Sequence, residues 1–316
     1  MRKAKVIKIF AIVLVLLAVS AISVFIGSSG FPSKHILFSF RLPRIFLGIV
    51  VGAGLGGAGA VMQGVLRNPL ADPYILGTSA GAALGFILAR ILGVQYYSVL
   101  FFIFVVGGAF LATCVSYALA RVRNKTPVVN LLLAGVLVNT FLGSLILLFY
   151  ILHKETAFSS LIFMMGYITE GTAKVRIFSS FLVLIGAAIS LMGARTLDIL
   201  GMGEEKAAYL GINTEKAKLF LFFGCSLMTG GAVCAAGTVG FVGLIVPHIL
   251  RLILGPLHRN LIIGSILGGA VFVVTMDVFS RTIIAPGEIP VGIFTALTGA
   301  PFFLWLLRRK KKEYTL

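Results

Sequence analysis

Apolar runs of near-uniform length alternate along this chain with short polar or Gly/Pro-rich breaks. The runs lie at 9–29, 45–66, 75–93, 98–120, 128–151, 177–194, 217–236, 238–254, 261–284 and 289–307. Each approaches the ~20 residues an α-helix needs to cross hydrocarbon. The pattern predicts an all-α, polytopic membrane chain of about ten spans. The least distinct boundary separates 217–236 from 238–254, where only Gly237-Thr238 intervenes and Pro247 interrupts the second run. The sharpest break is Arg67-Asn-Pro-Leu-Ala-Asp-Pro-Tyr-Ile-Leu76, between the Gly-rich flanks Gly48–Gly56 and Gly77–Gly85. It carries two prolines and two charges. Irregular polar backbone survives at membrane depth only when protein encloses it or it lines a cavity. The break therefore predicts an enclosed passage.

Composition sharpens this picture. Of 316 residues, 59% are hydrophobic and 12% charged, against about 25% charged in a soluble domain. The solvent is lipid, and disorder is excluded. Cys114, Cys225 and Cys234 all fall inside apolar runs and read as small buried hydrophobes; no Cys-x-x-Cys or Cys/His spacing marks a metal site. The basic start, Met1–Lys8, precedes an apolar run longer than a signal peptide carries, so an uncleaved first span is expected.

The net charge of +17 raises nucleic acid as a partner, but its placement explains it otherwise. With the N-terminus inside, 19 of the 27 Lys and Arg residues fall on inner segments and 8 on outer ones. That bias orients membrane proteins and puts both termini in the cytoplasm. A faint repeat agrees with ten spans: a shift of 174 residues superposes Gly56-Gly-Ala58 on Gly230-Gly-Ala232 and Pro73 on Pro247. With five spans in each half, the two copies are inverted. Inverted repeats place a pathway at their interface.

Few residues carry chemistry. Gly48, Gly52, Gly56, Ala60 and Gly64 share one helical face and read as a close-packing seam. Asp277 and Arg281, four apart, can pair on one face; a structural pair and a coupling carboxylate of an ion-driven secondary transporter are both readings of Asp277. Arg41 and Arg44 fit interfacial anchors and equally an outer positive rim for an acidic partner. Gly203–Leu210 reads as a short inner helix closed by Gly211, with an apolar face from Ala207, Leu210 and Ile212. No phosphate loop or His-Glu-x-x-His occurs. His35, His153, His248 and His258 are scattered. The chain does not read as an enzyme, and any ATP is hydrolysed elsewhere.

Seven segments, in order over nearly the whole chain, carry a resemblance. They are Arg41-Leu-Pro-Arg44, Gln63–Pro73, Leu131-Leu-Leu-Ala-Gly135, Met165-Gly166, Gly203–Gly211, Gly240–Arg251 and Glu288–Pro301. Together they resemble the FecCD-type permeases of binding-protein-dependent ABC importers for iron-siderophores, haem and cobalamin, the vitamin B12 importer permease among them. The resemblance implies a type II importer fold: one transmembrane permease domain over residues 1–316, with a cytoplasmic coupling segment at 197–215. It implies a homodimer with the path on its two-fold axis, two ATPase subunits inside and one substrate-binding protein outside, in a prokaryotic cytoplasmic membrane. It implies no cofactor, no metal site and no catalytic residue. By the same resemblance Arg41, Arg44 and Arg281 meet the binding protein. Gly203, Glu204, Glu205, Ala207, Leu210 and Gly211 couple to the ATPase. Asn68, Leu70, Val128 and Val129 form a cytoplasmic gate, where valines replace the small hydroxyl residues of some relatives and imply a drier constriction.

Overall fold

A computed structural model of the protein describes residues 2–27, 33–95, 98–123 and 125–313. In chain order the helices are α1 (Arg2–Phe25), α2 (Lys34–Ile36), α3 (Leu42–Val65), α4 (Thr78–Ile91), α5 (Val99–Ala120), α6 (Val128–Leu152), α7 (Lys154–Met165), α8 (Ala173–Met192), α9 (Ala194–Leu200), α10 (Glu204–Tyr209), α11 (Thr214–Ala236), α12 (Val242–Leu254), α13 (His258–Thr282) and α14 (Val291–Glu313). A wide turn at Leu37–Arg41 joins α2 to α3, and a tight one at Pro73–Leu76 leads into α4. Side chains start several helices: Ser98 accepts from the Phe101 amide, Thr172 from Val175 and Asn213 from Lys216.

Every predicted run contains a helix; Ser28 and Ser29, the end of the first, lie outside the described residues. Among the described residues, seven helical stretches are long and apolar enough to cross a bilayer alone, whereas Thr78–Ile91, Val242–Leu254 and the apolar part of α14, Val291–Leu304, are shorter. The first two are short because irregular segments stand before them, at 66–77 and 237–241. Both halves of the chain thus contain a long helix, a break and a short helix. Three helices are new relative to the sequence reading: the single turn α2, α7, within a stretch expected to be an outer loop, and α9, which bridges to α10. None has a long apolar run.

The core sits where α3 passes between α11 and α13, with α8, α5 and α12 around them. Nearly every residue of α3 from Gly48 onward is enclosed. A Cβ added at Gly52 would strike the Gly269 carbonyl, and one at Gly56 the Ser265 carbonyl. The glycine stripe is therefore a backbone-to-backbone seam with α13, as its spacing predicts. By contrast α1 and α6 expose large apolar side chains such as Leu14, Leu17, Leu137 and Ile151, the pattern of helices facing lipid. Cys225 and Cys234 are buried as expected, but Cys114 lies on an exposed face of α5.

Candidate functional site

The broken segment after α3 is wrapped in hydrogen bonds that its own backbone cannot supply. Asp72 Oδ1 accepts from the Tyr74 amide at 2.8 Å. Thr78 Oγ1 donates to the Pro73 carbonyl at 2.9 Å and Ser116 Oγ to the Leu76 carbonyl at 3.0 Å. Asn139 of α6 donates to the Tyr74 carbonyl at 3.2 Å. These bonds meet the requirement that buried backbone be satisfied by protein. At the centre the Tyr74 hydroxyl accepts from the Val239 amide at 3.1 Å and lies 3.3 Å from the Val239 carbonyl, to which it donates. One phenol thus joins the break of the first half to that of the second. Both breaks border a 510 Å³ cavity with Met164, Met165, Phe241 and Ile293 on its walls.

Pro247 makes a further link between the halves. It has no amide hydrogen, so α12 leaves the Gly243 carbonyl without its helical donor. Gln63 of α3, 2% exposed, donates its amide to the Gly243 and Leu244 carbonyls at 3.3 and 3.2 Å. Sequence reasoning assigned Gln63 no role. The proline four residues after Gly243 was the available signal.

At the start of α3 the three predicted arginines converge on one 280 Å³ pocket, with Tyr167, Glu170 and Glu288 also on its wall. They are not free-standing surface charges. Arg41 and Arg281 are each 5% exposed. Arg44 Nε donates to Asp277 Oδ1 at 2.9 Å and its Nη1 to Glu288 at 2.8 Å. Arg281 Nε lies 3.2 Å from Asp277 Oδ2, and its Nη2 donates to Ser23 Oγ at 2.7 Å. Arg41 Nη1 donates to the Val24 carbonyl at 2.5 Å. Asp277 is thus held between two guanidiniums, the arrangement of a structural ion cluster. Burial would raise the Glu288 carboxyl, but hydrogen bonds from Tyr167 and Arg44 outweigh it and hold the group below its usual range. Burial, then the Glu288 contact, push the Tyr167 phenol up to about 12.

The other end of α3, roughly 36 Å away along a 24-residue helix, carries the predicted inner elements. Gly203 and Gly211 flank α10 with positive φ of 117° and 81°. Tyr209, Leu210 and Met202 are 90%, 64% and 61% exposed. This corrects the expected apolar face: Ala207 is wholly buried against the chain, and Tyr209 and Met202 take its place outside. Glu205 is exposed, whereas Glu204 turns inward to Lys218. Lys218, only 2% exposed, donates to Glu204 Oε2, Glu215 Oε1 and the Thr126 carbonyl, each at 2.9 Å. Burial would raise the Glu215 carboxyl; hydrogen bonds from Thr126, Tyr117 and Lys218 pull it down to about 2. Of the predicted gate residues, Asn68 folds back so that its Oδ1 accepts from the Leu70 amide at 2.9 Å. Leu70 and Val129 are 42% and 66% exposed and Val128 is half-buried. Arg67, immediately before Asn68, adopts φ 47°.

Comparison with known proteins follows the same lines. The model of the FecCD transport family matches residues 6–309. The hemin transport system permease HmuU of Yersinia pestis is 38% identical over 288 residues, 88% of this chain and 85% of that one. The cobalamin import system permease BtuC of Halobacterium salinarum is 41% identical over 286 residues, 88% of this chain and 75% of its own. The Fe(3+)-citrate import permease YfmD of Bacillus subtilis is 38% identical, over 89% of this chain and 83% of its own. Among solved structures, a metal-chelate type ABC transporter in an inward-facing conformation superposes with a TM-score of 0.85 at 29% identity, covering 95% of this chain and 98% of that one.

Proposed function

The chain belongs to the FecCD transport family, and from that membership we propose that it is the membrane permease of an ABC importer for an iron-siderophore, haem, cobalamin or similar metal chelate. The observation that carries this reading is the pair of satisfied backbone breaks, joined through Tyr74 and Val239, beside the 510 Å³ cavity. Each copy supplies half of a path closed by its twin, so the working unit is a homodimer. It sits in a prokaryotic cytoplasmic membrane with both termini inside. The 316 residues act as one permease domain, with 197–215 as its coupling segment.

The two ends of α3 have different partners in this reading. Outside, Arg41, Arg44 and Arg281 receive acidic side chains of a substrate-binding protein in their shared pocket. Asp277 and Glu288 hold the guanidiniums in place from within, so docking orders few side chains. Inside, two ATPase subunits take the α10 segments, with Tyr209 and Leu210 as the apolar contact and Glu205 at its edge. Closure of the ATPases draws the α10 segments together. The constriction formed by Asn68, Leu70, Val128 and Val129 then opens, and the chelate leaves a lining that offers it no strong ligand.

The test is reconstitution in vesicles with the partner ATPase and binding protein, supplied with labelled ferric chelates, haem and cobalamin. Uptake of one of these, dependent on both partners and on ATP, is expected. Asp277→Asn should weaken uptake without abolishing it. Uptake by the chain alone, driven by an ion gradient and stopped by Asp277→Asn, would overturn the proposal in favour of an ion-coupled carrier.

A further inference from the structure

The Lys218 ammonium has three N–H donors, and all three are used: on Glu204 of α10, on Glu215 at the foot of α11, and on the carbonyl of Thr126. Thr126 stands two residues before Val128. Its backbone amide donates to Glu215 Oε1 at 3.1 Å and its hydroxyl to Glu215 Oε2 at 2.6 Å, where Tyr117 also donates at 2.7 Å. Thus the amide, the hydroxyl and the carbonyl of one residue are all bound to this cluster. Pro127 follows, so the hold passes directly into the first turn of α6. The second oxygen of Glu204 faces Arg67 Nη2 at 3.9 Å, and Arg67 leads into Asn68. A buried ion cluster is a poor way to add stability, because desolvation offsets most of the attraction. Here it joins three separate chain segments that a hydrophobic contact would leave free to slide.

We propose that the Lys218–Glu204 pair is the transmission point of the transporter: Lys218 ties α10 to Val128–Val129 by way of Thr126, and Glu204 itself faces Arg67, which leads into Asn68–Leu70. Lys218 and Glu204 are positioning residues and touch no cargo. The inference rests on α10 being the ATPase-facing element. Movement of α10 reaches the gate as a displacement of the α6 foot, because one buried ammonium is held by acceptors on all three segments at once.

The experiment uses the full complex in vesicles and reads cargo moved per ATP hydrolysed. Glu204→Gln keeps an acceptor for Lys218 and leaves the Lys218–Glu215 pair intact. It is expected to assemble with the ATPase and to hydrolyse ATP at half the parent rate or more, while cargo per ATP falls at least fivefold. The double variant Glu204→Gln, Lys218→Met should be no more uncoupled than the worse of its two singles, as for residues in one chain of action. Spin labels at the exposed positions Glu205 and Val129, in a Cys114→Ser background, report the distance between copies. In the parent both distances change on ATP binding; in Glu204→Gln only the one at Glu205 changes. Parent-like cargo per ATP with both distances moving would overturn the proposal. So would loss of ATPase assembly by Glu204→Gln, which would make Glu204 a direct contact. Failure of the unmodified chain to bind any ATPase is a different result, and it removes the importer reading itself.

Discussion

Gln63 shows how much a single side chain can carry in a lipid-solvated fold. Replacing it by leucine keeps the volume but orphans the Gly243 carbonyl that Pro247 has already deprived of its helical donor. The expected cost is about 1–3 kcal/mol, the penalty for an unsatisfied buried acceptor, read as a lowered Tm of the detergent-solubilised protein. Glu215 yields a prediction with a sign. Its folded pKa, about 2, lies below the ordinary 4.5 of a free glutamate, so the unfolded chain takes up protons first as pH falls. Its stabilisation is complete above about pH 4.5 and is lost as pH falls towards 2. Melting temperatures of the parent and Glu215→Gln, compared from pH 7 down to 3, should converge at the acid end. The sequence showed which residues matter at this scale better than how they act. Arg41, Arg44, Arg281 and Asp277 were recognisable from charge in apolar surroundings. That Glu288 and Asp277 share Arg44 was not, because 233 and 244 residues separate the partners along the chain.

At the scale of elements, periodicity carried most of the information. The four-residue glycine spacing of α3 predicted a close helix contact, and α13 supplies it. Gly52→Leu would drive a side chain into the Gly269 backbone, and no monodisperse protein should be recovered. Gly107→Ala, on an open face of α5 with nothing within 4 Å, should leave Tm unchanged or raise it slightly, since alanine is the better helix former. The α10 segment was legible from its flanking glycines, but its outward face was misjudged. Six residues are too few for a periodicity to declare which side packs inward, and Ala207 went in. Leu210→Ala, which removes a 64%-exposed apolar side chain, should leave the chain's own unfolding free energy within about 0.5 kcal/mol of the parent, as for a surface change. It should lower ATPase co-purification at least threefold. α7 escaped the sequence reading because its twelve residues are too short for a span and begin with Lys154 and Glu155.

For the whole molecule, hydropathy gave the all-α, many-span class and the first break; the second showed only as the indistinct boundary at Gly237-Thr238. What it could not give was the way one break closes on the other, since that depends on a tyrosine reaching backbone 165 residues away. The Tyr74 contact has a consequence for how well the membrane is sealed. Its hydroxyl engages the amide and the carbonyl of the same residue, so any slip between the halves surrenders both bonds in one step. On that reading the contact works like a ball catch, either seated or sprung. Tyr74→Phe removes the catch and keeps the ring. Resting vesicles carrying that variant should leak a small fluorescent anion at least twice as fast as the parent, before any cargo or nucleotide is added; equal leak rates would show that the barrier lies elsewhere. A conduit wide enough for a chelate is tolerable to a cell only if its idle state is tightly closed, and the leak of Tyr74→Phe measures how much of that closure this phenol supplies.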